Sequence, residues 1–162
     1  MFKIIDGNLL DATEQFVAHQ CNCLSRGQAA GIAKHIFSKW PWADVYIQRN
    51  GWVDREISKP GTVQICGNGK DQRYVVALYS QIYPGQAYPP KDSAENRQKL
   101  FREALDCFKK FPEVKGSYSI AFPWKVGCGI AGGDWTIYQA MLEEFSKDVD
   151  GDVVIYKPEW EQ

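Results

Sequence analysis

Short apolar runs alternate along this chain with stretches in which apolar residues recur every three or four positions. The runs Phe2–Ile5, Phe16–His19, Thr62–Cys66, Tyr74–Ser80, Ser119–Pro123 and Val153–Tyr156 are apolar and partly β-branched, a pattern that predicts strands buried on both faces. Helices are predicted over Gly31–Trp40, Ala94–Phe111 and Asp134–Lys147. In the second of these, Leu100, Phe101, Ala104, Leu105, Phe108 and Phe111 fall on one helical stripe. Asp92 or Ser93 stands where an N-cap is needed, and Pro112 and Gly116 close the helix. Strands alternating with helices predict an α/β layered fold. Gly67–Asp71 reads as a hairpin turn between Thr62–Cys66 and Tyr74–Ser80. Pro84–Pro90 reads as an exposed loop that could lie over a site.

The 162 residues fit a single domain, 1–162, large enough to bury a core without disulfides or metal. A formal net charge of −1 argues against a broad electrostatic footprint for duplex nucleic acid. No apolar run approaches membrane-spanning length, so no membrane partner is expected. Met1–Asp6 opens in a strand-like run without signal-peptide architecture. The 5 cysteines are odd in number and their spacing suggests no disulfide framework. A reduced, cytoplasmic protein is the expectation.

The densest chemical signal is Gly127-Cys128-Gly129-Ile130-Ala131-Gly132-Gly133-Asp134-Trp135, between a predicted strand and a predicted helix. Glycine lets backbone N–H groups crowd an anion, and a helix start adds its dipole and free donors. Gly127-x-Gly129-x-x-Gly132 spells a dinucleotide fingerprint, but that motif belongs to the first strand–helix turn of a long βαβαβ unit. Here only one helix and one strand follow it. A turn needing positive φ explains one or two of these glycines more easily than all of them. A phosphate-contacting loop is the preferred reading. A second loop, Ser25 to Ala33, is built largely of Gly and Ala and follows the strand through Cys21. With both strands parallel, the two loops lie at the C-terminal edge of one sheet, where α/β ligands bind, and can clamp a diphosphate.

His19-x-Cys21-Asn22-Cys23 leads into that second loop. His19 reads either as a buried, satisfied histidine or as a general acid/base at a strand end. No metal site is expected, because there is no CxxC pair and His35 lies mid-helix. The spacing from Cys21 or Cys23 to Arg26 is too short for a cysteine phosphatase loop. Asp92 and Asp134 are the carboxylates nearest the candidate loops, and N-capping alone would explain either. Arg26, Lys91 and Lys125 are candidate phosphate partners, although a solvated surface position explains each. The remaining charges read as solvated helix faces.

Taken together these segments resemble the macrodomain family, the ADP-ribose-binding α/β/α fold. Gly7-Asn8-Leu9 is similar to the family's adenine segment after the first strand. His19-x-Cys21-Asn22-Cys23 with Ala30-Gly31-Ile32-Ala33 resembles its first loop. Trp40-Pro41-x-Ala43-x-x-Tyr46 is similar to the stretch that ends the following helix. Pro123–Trp135 resembles the second phosphate loop, and Val153–Tyr156 the last strand. The resemblance covers essentially the whole chain. It implies a three-layer α/β/α fold with a mixed, mostly parallel central sheet. It implies adenine contacts from Asn8 and the Leu9 N–H, a distal-ribose contact from Asn22, and stacking from Tyr156. Gly31, Ile32 and Ala33 would wrap the diphosphate and distal ribose together with Cys128, Gly129, Ile130, Ala131 and Gly132.

The His-x-Cys-Asn-Cys form resembles the branch that hydrolyses ADP-ribose 1''-phosphate. It implies a metal-independent phosphatase with no cofactor, in which His19 serves the leaving oxygen or activates water and Asp92 or Asp134 orients water. The alternatives are a non-catalytic ADP-ribose reader and an ADP-ribosyl hydrolase acting on protein or nucleic acid. Nucleic acid is expected only as such an ADP-ribosylated substrate. Branches that free carboxylate side chains use a Lys after the fourth strand and an Asp in the second loop, where this chain has Ser80-Gln81 and Ala131. Ala29-Ala30 also replaces glycines of the first loop.

Overall fold

The computed structural model describes residues 1–49 and 58–161. Six strands, β1 (Phe2–Asp6), β2 (Phe16–Asn22), β3 (Val63–Cys66), β4 (Tyr74–Gln81), β5 (Ile120–Pro123) and β6 (Val153–Lys157), form one sheet in the order β1-β6-β5-β2-β4-β3. Every neighbouring pair is parallel except β3–β4. The helices are α1 (Gly31–Lys39), α2 (Ala94–Phe108) and α3 (Trp135–Ser146), with short 3₁₀ turns at Leu9–Asp11, Pro41–Ala43 and Glu159–Glu161.

Alternation along the buried strands builds the layers. Phe16, Ala18, Val76, Leu78, Ile120, Phe122, Val153 and Ile155 share a core with Phe101, Ala104, Tyr138 and Leu142 from α2 and α3. The residues between them, Val17, Cys21, Val75, Ala77, Tyr79, Ala121 and Val154, join Ala33, Ile36 and Phe37 of α1. One helix on one face and two on the other give three α/β/α layers, the architecture the sequence implies. The β3–β4 hairpin turns where expected. Gly67 has φ +98° there, and a Cβ would come 2.2 Å from the Arg73 carbonyl. Helix α2 ends at Phe108 rather than Phe111, and α1 at Lys39 rather than Trp40. No helix among the described residues is long and apolar enough to cross a membrane.

All parallel strands point the same way, so the β1, β2, β4 and β5 exits gather at one sheet edge. At the end of β2 the register with β4 slips between Cys21 and Asn22. That slip frees the chain to leave the sheet as the first loop.

Candidate functional site

The β2–α1 connection is shaped by side chains. Asn22 Oδ1 accepts the N–H of Leu24 at 3.0 Å and of Ser25 at 2.8 Å. Its Nδ2 donates to Ser25 Oγ at 3.0 Å and to Tyr46 Oη at 3.1 Å. Arg49, only 6% exposed, donates to the carbonyls of Ser25 at 2.7 Å and Asn22 at 2.8 Å. Its guanidinium lies over the rings of Tyr46 and Tyr79. The loop ends at α1, whose N-cap is Ala30 and which has no side-chain cap hydrogen bond among the described residues. First-turn N–H groups have no intrahelical acceptor, so this helix start presents open donors and the positive end of its dipole.

The β5–α3 connection is shaped by its own backbone. Gly127 (φ +77°) packs so closely that a Cβ would meet Tyr138 Cε2 at 2.7 Å and Gln20 Oε1 at 3.0 Å. The Gly133 N–H donates to the Gly127 carbonyl at 3.0 Å, and the Gly132 N–H to that of Gly129 at 3.0 Å. A Cβ on Gly129, by contrast, would meet nothing within 4 Å. The fold therefore requires Gly127, but not Gly129, whose missing side chain faces open space. Among the described residues no acceptor takes the N–H groups of Gly129, Ile130 or Ala131. Trp124 and Trp135 bracket this loop and meet edge to face, with ring centroids 5.1 Å apart. Lys157 Nζ lies 4.7 Å from the Trp124 ring centre.

The two connections touch. A Cβ on Gly31 would lie 3.1 Å from Ile130 Cδ1, so the start of α1 meets the Ile130 side chain of the glycine loop. A third segment, the β4–α2 loop of residues 82–93, meets the glycine loop at Gly132, where a Cβ would lie 3.4 Å from Gln86 Cγ. Beside it a cavity of about 200 Å³ is lined by Gln86, Ala87, Ala94 and Gln98 together with Ala131 and Gly132. A larger groove of about 590 Å³ runs between α2 and α3, but it shares no residue with these loops.

Two of the expected catalytic residues are enclosed in the fold. His19 has 0% exposure, and its ring packs edge-on against Phe37 with Cys21 Sγ 3.5 Å from Nε2. Desolvation pulls its pKa down to about 4, so it is neutral at pH 7 and sealed from solvent. This burial favours the reading of His19 as a buried, satisfied histidine over that of a general acid/base. Asp92 is also 0% exposed and pairs with Arg97 Nη2 at 2.7 Å while accepting the N–H groups of Ile82 and Tyr83. Burial pushes its carboxyl up, but Arg97 and the two N–H donors outweigh burial and hold it below the usual range. Asp92 thus holds the backbone of its own loop, and the cap of α2 is Ser93. Asp134 caps α3 by accepting the Thr136 N–H at 3.0 Å and is exposed.

Asn8 caps the turn at Leu9–Asp11 by accepting the Leu10 N–H at 2.9 Å, and Leu9 is buried beneath it. Tyr156 is buried against Gly7, with its hydroxyl donated to Glu14 at 2.6 Å. The Asn22 amide is fully engaged by its own loop and by Tyr46. Ile32 and Ile130 are exposed at the meeting of the two loops, Ala33 is buried under them, and Cys128 gives its thiol to the Val126 carbonyl at 3.4 Å. Burial pushes that thiol up to about 12. Among the described residues no group of three or more His, Cys, Asp or Glu side chains is placed to hold a metal.

Reading by composition missed the two buried arginines. Arg49 carries no local signal. Arg97 does, because it stands on the apolar stripe of α2, one turn before Leu100 and Phe101.

No protein-family model matches the chain. It is 23% identical over 164 residues to an uncharacterized 17.5 kDa protein from the tk-vs intergenic region of Enterobacteria phage T4, covering 96% of this chain and 97% of that protein. Its structure is similar to the macrodomain of Thermus aquaticus DarG, with a TM-score of 0.72 at 20% identity over 98% of this chain and 99% of that one. It is also similar to Thermosipho africanus DarTG in complex with ADP-ribose, with a TM-score of 0.66 at 16% identity over 98% of this chain and 42% of that one. These likenesses give the chain the macrodomain fold.

Proposed function

We propose that this chain, a macrodomain by fold, binds ADP-ribose in the cleft between its β2–α1 and β5–α3 connections. The observation that carries this is the contact at Gly31, where a Cβ would lie 3.1 Å from Ile130 Cδ1, so that the uncapped start of α1 meets a side chain of the loop whose N–H groups at 129–131 are unused. Two sets of fixed donors meeting at one point suit a diphosphate, whose charge they meet without side-chain reorganisation. The macrodomain fold and the ADP-ribose held by Thermosipho africanus DarTG support the same ligand. Asn8, Leu9 and Tyr156 then belong to the adenine end, and Gly31 to Ala33 with Cys128 to Gly132 to the diphosphate and distal ribose.

Gly129→Glu tests this reading with little effect on the fold, since the new side chain meets open space. Calorimetry is expected to show ADP-ribose binding by the wild type and at least roughly tenfold weaker binding by the variant, at unchanged melting temperature. A wild type that takes up no ADP-ribose at millimolar concentration overturns the proposal.

Turnover is a second reading, favoured by the cavity beside Ala131, which leaves room for a group carried on the distal ribose. That group is the phosphate of ADP-ribose 1''-phosphate or a protein or nucleic-acid conjugate. With His19 and Asp92 enclosed, Asp134 is the exposed carboxylate left to orient water. Phosphate release from ADP-ribose 1''-phosphate, lost in Asp134→Ala, is the expected result. Binding without release by the wild type leaves the protein a reader.

A further inference from the structure

Arg97 is 2% exposed, yet it carries more polar contacts than any catalytic candidate. Its Nη1 donates to the Gly85 carbonyl at 2.7 Å and to the Ala131 carbonyl at 3.4 Å. Its Nη2 donates to the carbonyls of Tyr83 at 3.1 Å and Gln86 at 3.0 Å and to Asp92 Oδ2 at 2.7 Å. Asp92 in turn holds the N–H groups of Ile82 and Tyr83. The β4–α2 loop is thus wound around one ion pair.

The Ala131 contact is the longest of the set and the only one that leaves this loop. Its partner peptide is held from the other edge, because the Gly132 N–H donates to the Gly129 carbonyl. In a trans peptide C=O and N–H point in opposite directions, so the two bonds fix that plane. The plane closes the turn that leaves the N–H groups of residues 129–131 open. A second link joins the same two loops: a Cβ on Gly132 would lie 3.4 Å from Gln86 Cγ.

We infer that Arg97 is a positioning residue that joins the β4–α2 loop to the glycine loop, so that the donors at 129–131 and residues 83–91 respond to ligand as one body. The ligand arm rests on the ADP-ribose reading above; the free-protein arm does not. Lysine can neutralise Asp92, but a single ammonium cannot span carbonyls from both loops as a planar guanidinium does.

Hydrogen exchange on the free protein decides first. Arg97→Lys is expected to speed exchange roughly tenfold or more in both 83–91 and 128–133, with the protected amides of β2 and β5 unchanged. Faster exchange in 83–91 alone overturns the coupling. Calorimetry decides second: Arg97→Lys retains most of the stability that Arg97→Met loses, but binds ADP-ribose at least roughly tenfold more weakly than wild type. Recovery of affinity in step with stability means that only the charge matters and removes the positioning role. On the wild type, saturating ADP-ribose protects 83–91 as well as 128–133, and protection of 128–133 alone refutes the inference even if Arg97→Lys fails to fold. Failure of wild-type binding would sink the ADP-ribose reading, while the exchange comparison on free protein still judges Arg97.

Discussion

The β2–α1 and β5–α3 connections do the same topological job by different means. In the first, side chains hold the backbone: Asn22, Tyr46 and Arg49 take up its polar groups, and the helix that follows starts bare at Ala30. In the second, glycine turns hold the backbone, Asp134 caps the helix, and the unused donors lie within the loop. The difference shows where an anion can be met. A capped helix start is closed to a ligand, so at β5–α3 the binding atoms must be those of the loop, whereas at β2–α1 they are those of the helix itself. On the proposed reading, one cleft draws on two kinds of donor that neither connection supplies alone.

The largest expected effect sharpens what lies beneath the first connection. His19 has its folded pKa near 4, below the ordinary 6.5, because burial disfavours the charged ring. Its contribution to stability is complete above pH 6.5, where both folded and unfolded rings are neutral. As pH falls toward 4 the unfolded chain gains a proton that the native state refuses, and about 3 kcal/mol is lost over that window. Urea melts at stepped pH measure this, and His19→Leu should flatten the curve between those values. A wild-type curve with no slope there would mean the ring is solvated.

Capping the bare helix attacks the comparison directly. Ala30 has φ −132° and ψ 165°, an ordinary N-cap conformation. Ala30→Asp should stabilise the fold by about 1 kcal/mol, since aspartate accepts the open N–H groups. The same carboxylate occupies and repels the anion site, so ADP-ribose affinity should fall on the order of 100-fold, about 2.7 kcal/mol. Stabilisation with undiminished affinity would move the anion site away from α1. The reverse change is smaller: Asp134→Ala should cost roughly 1 kcal/mol in thermal or urea unfolding. It should leave ADP-ribose affinity within about twofold, because a carboxylate that orients water serves turnover rather than binding of the free ligand. A tenfold loss would place Asp134 on the ligand.

The strands, helices and both loops were legible in the sequence because period and glycine content are local signals, while the layer order and mostly parallel sheet were implied by the family resemblance. Gly127 illustrates this: its positive φ and its crowding by Tyr138 are what a glycine-rich turn implies. The fate of polar side chains was not legible. His19 and Asp92 look alike in sequence whether they face a ligand or the core. Which it is depends on Phe37, Cys21 and Arg97, residues brought in by other elements. Arg97 could have been found from its place on the α2 stripe, where a charge must be paired to be buried. Arg49 could not, since its partners Asn22 and Ser25 are more than twenty positions away.

The indoles of Trp124 and Trp135 stand at the two ends of the glycine loop, close enough for their electronic transitions to couple. Their near-ultraviolet circular dichroism is therefore a readout of loop shape. A ligand that turns residues 127–133 rotates one chromophore against the other and changes the couplet without any label. The protein carries its own optical gauge at the place where its chemistry is proposed to occur.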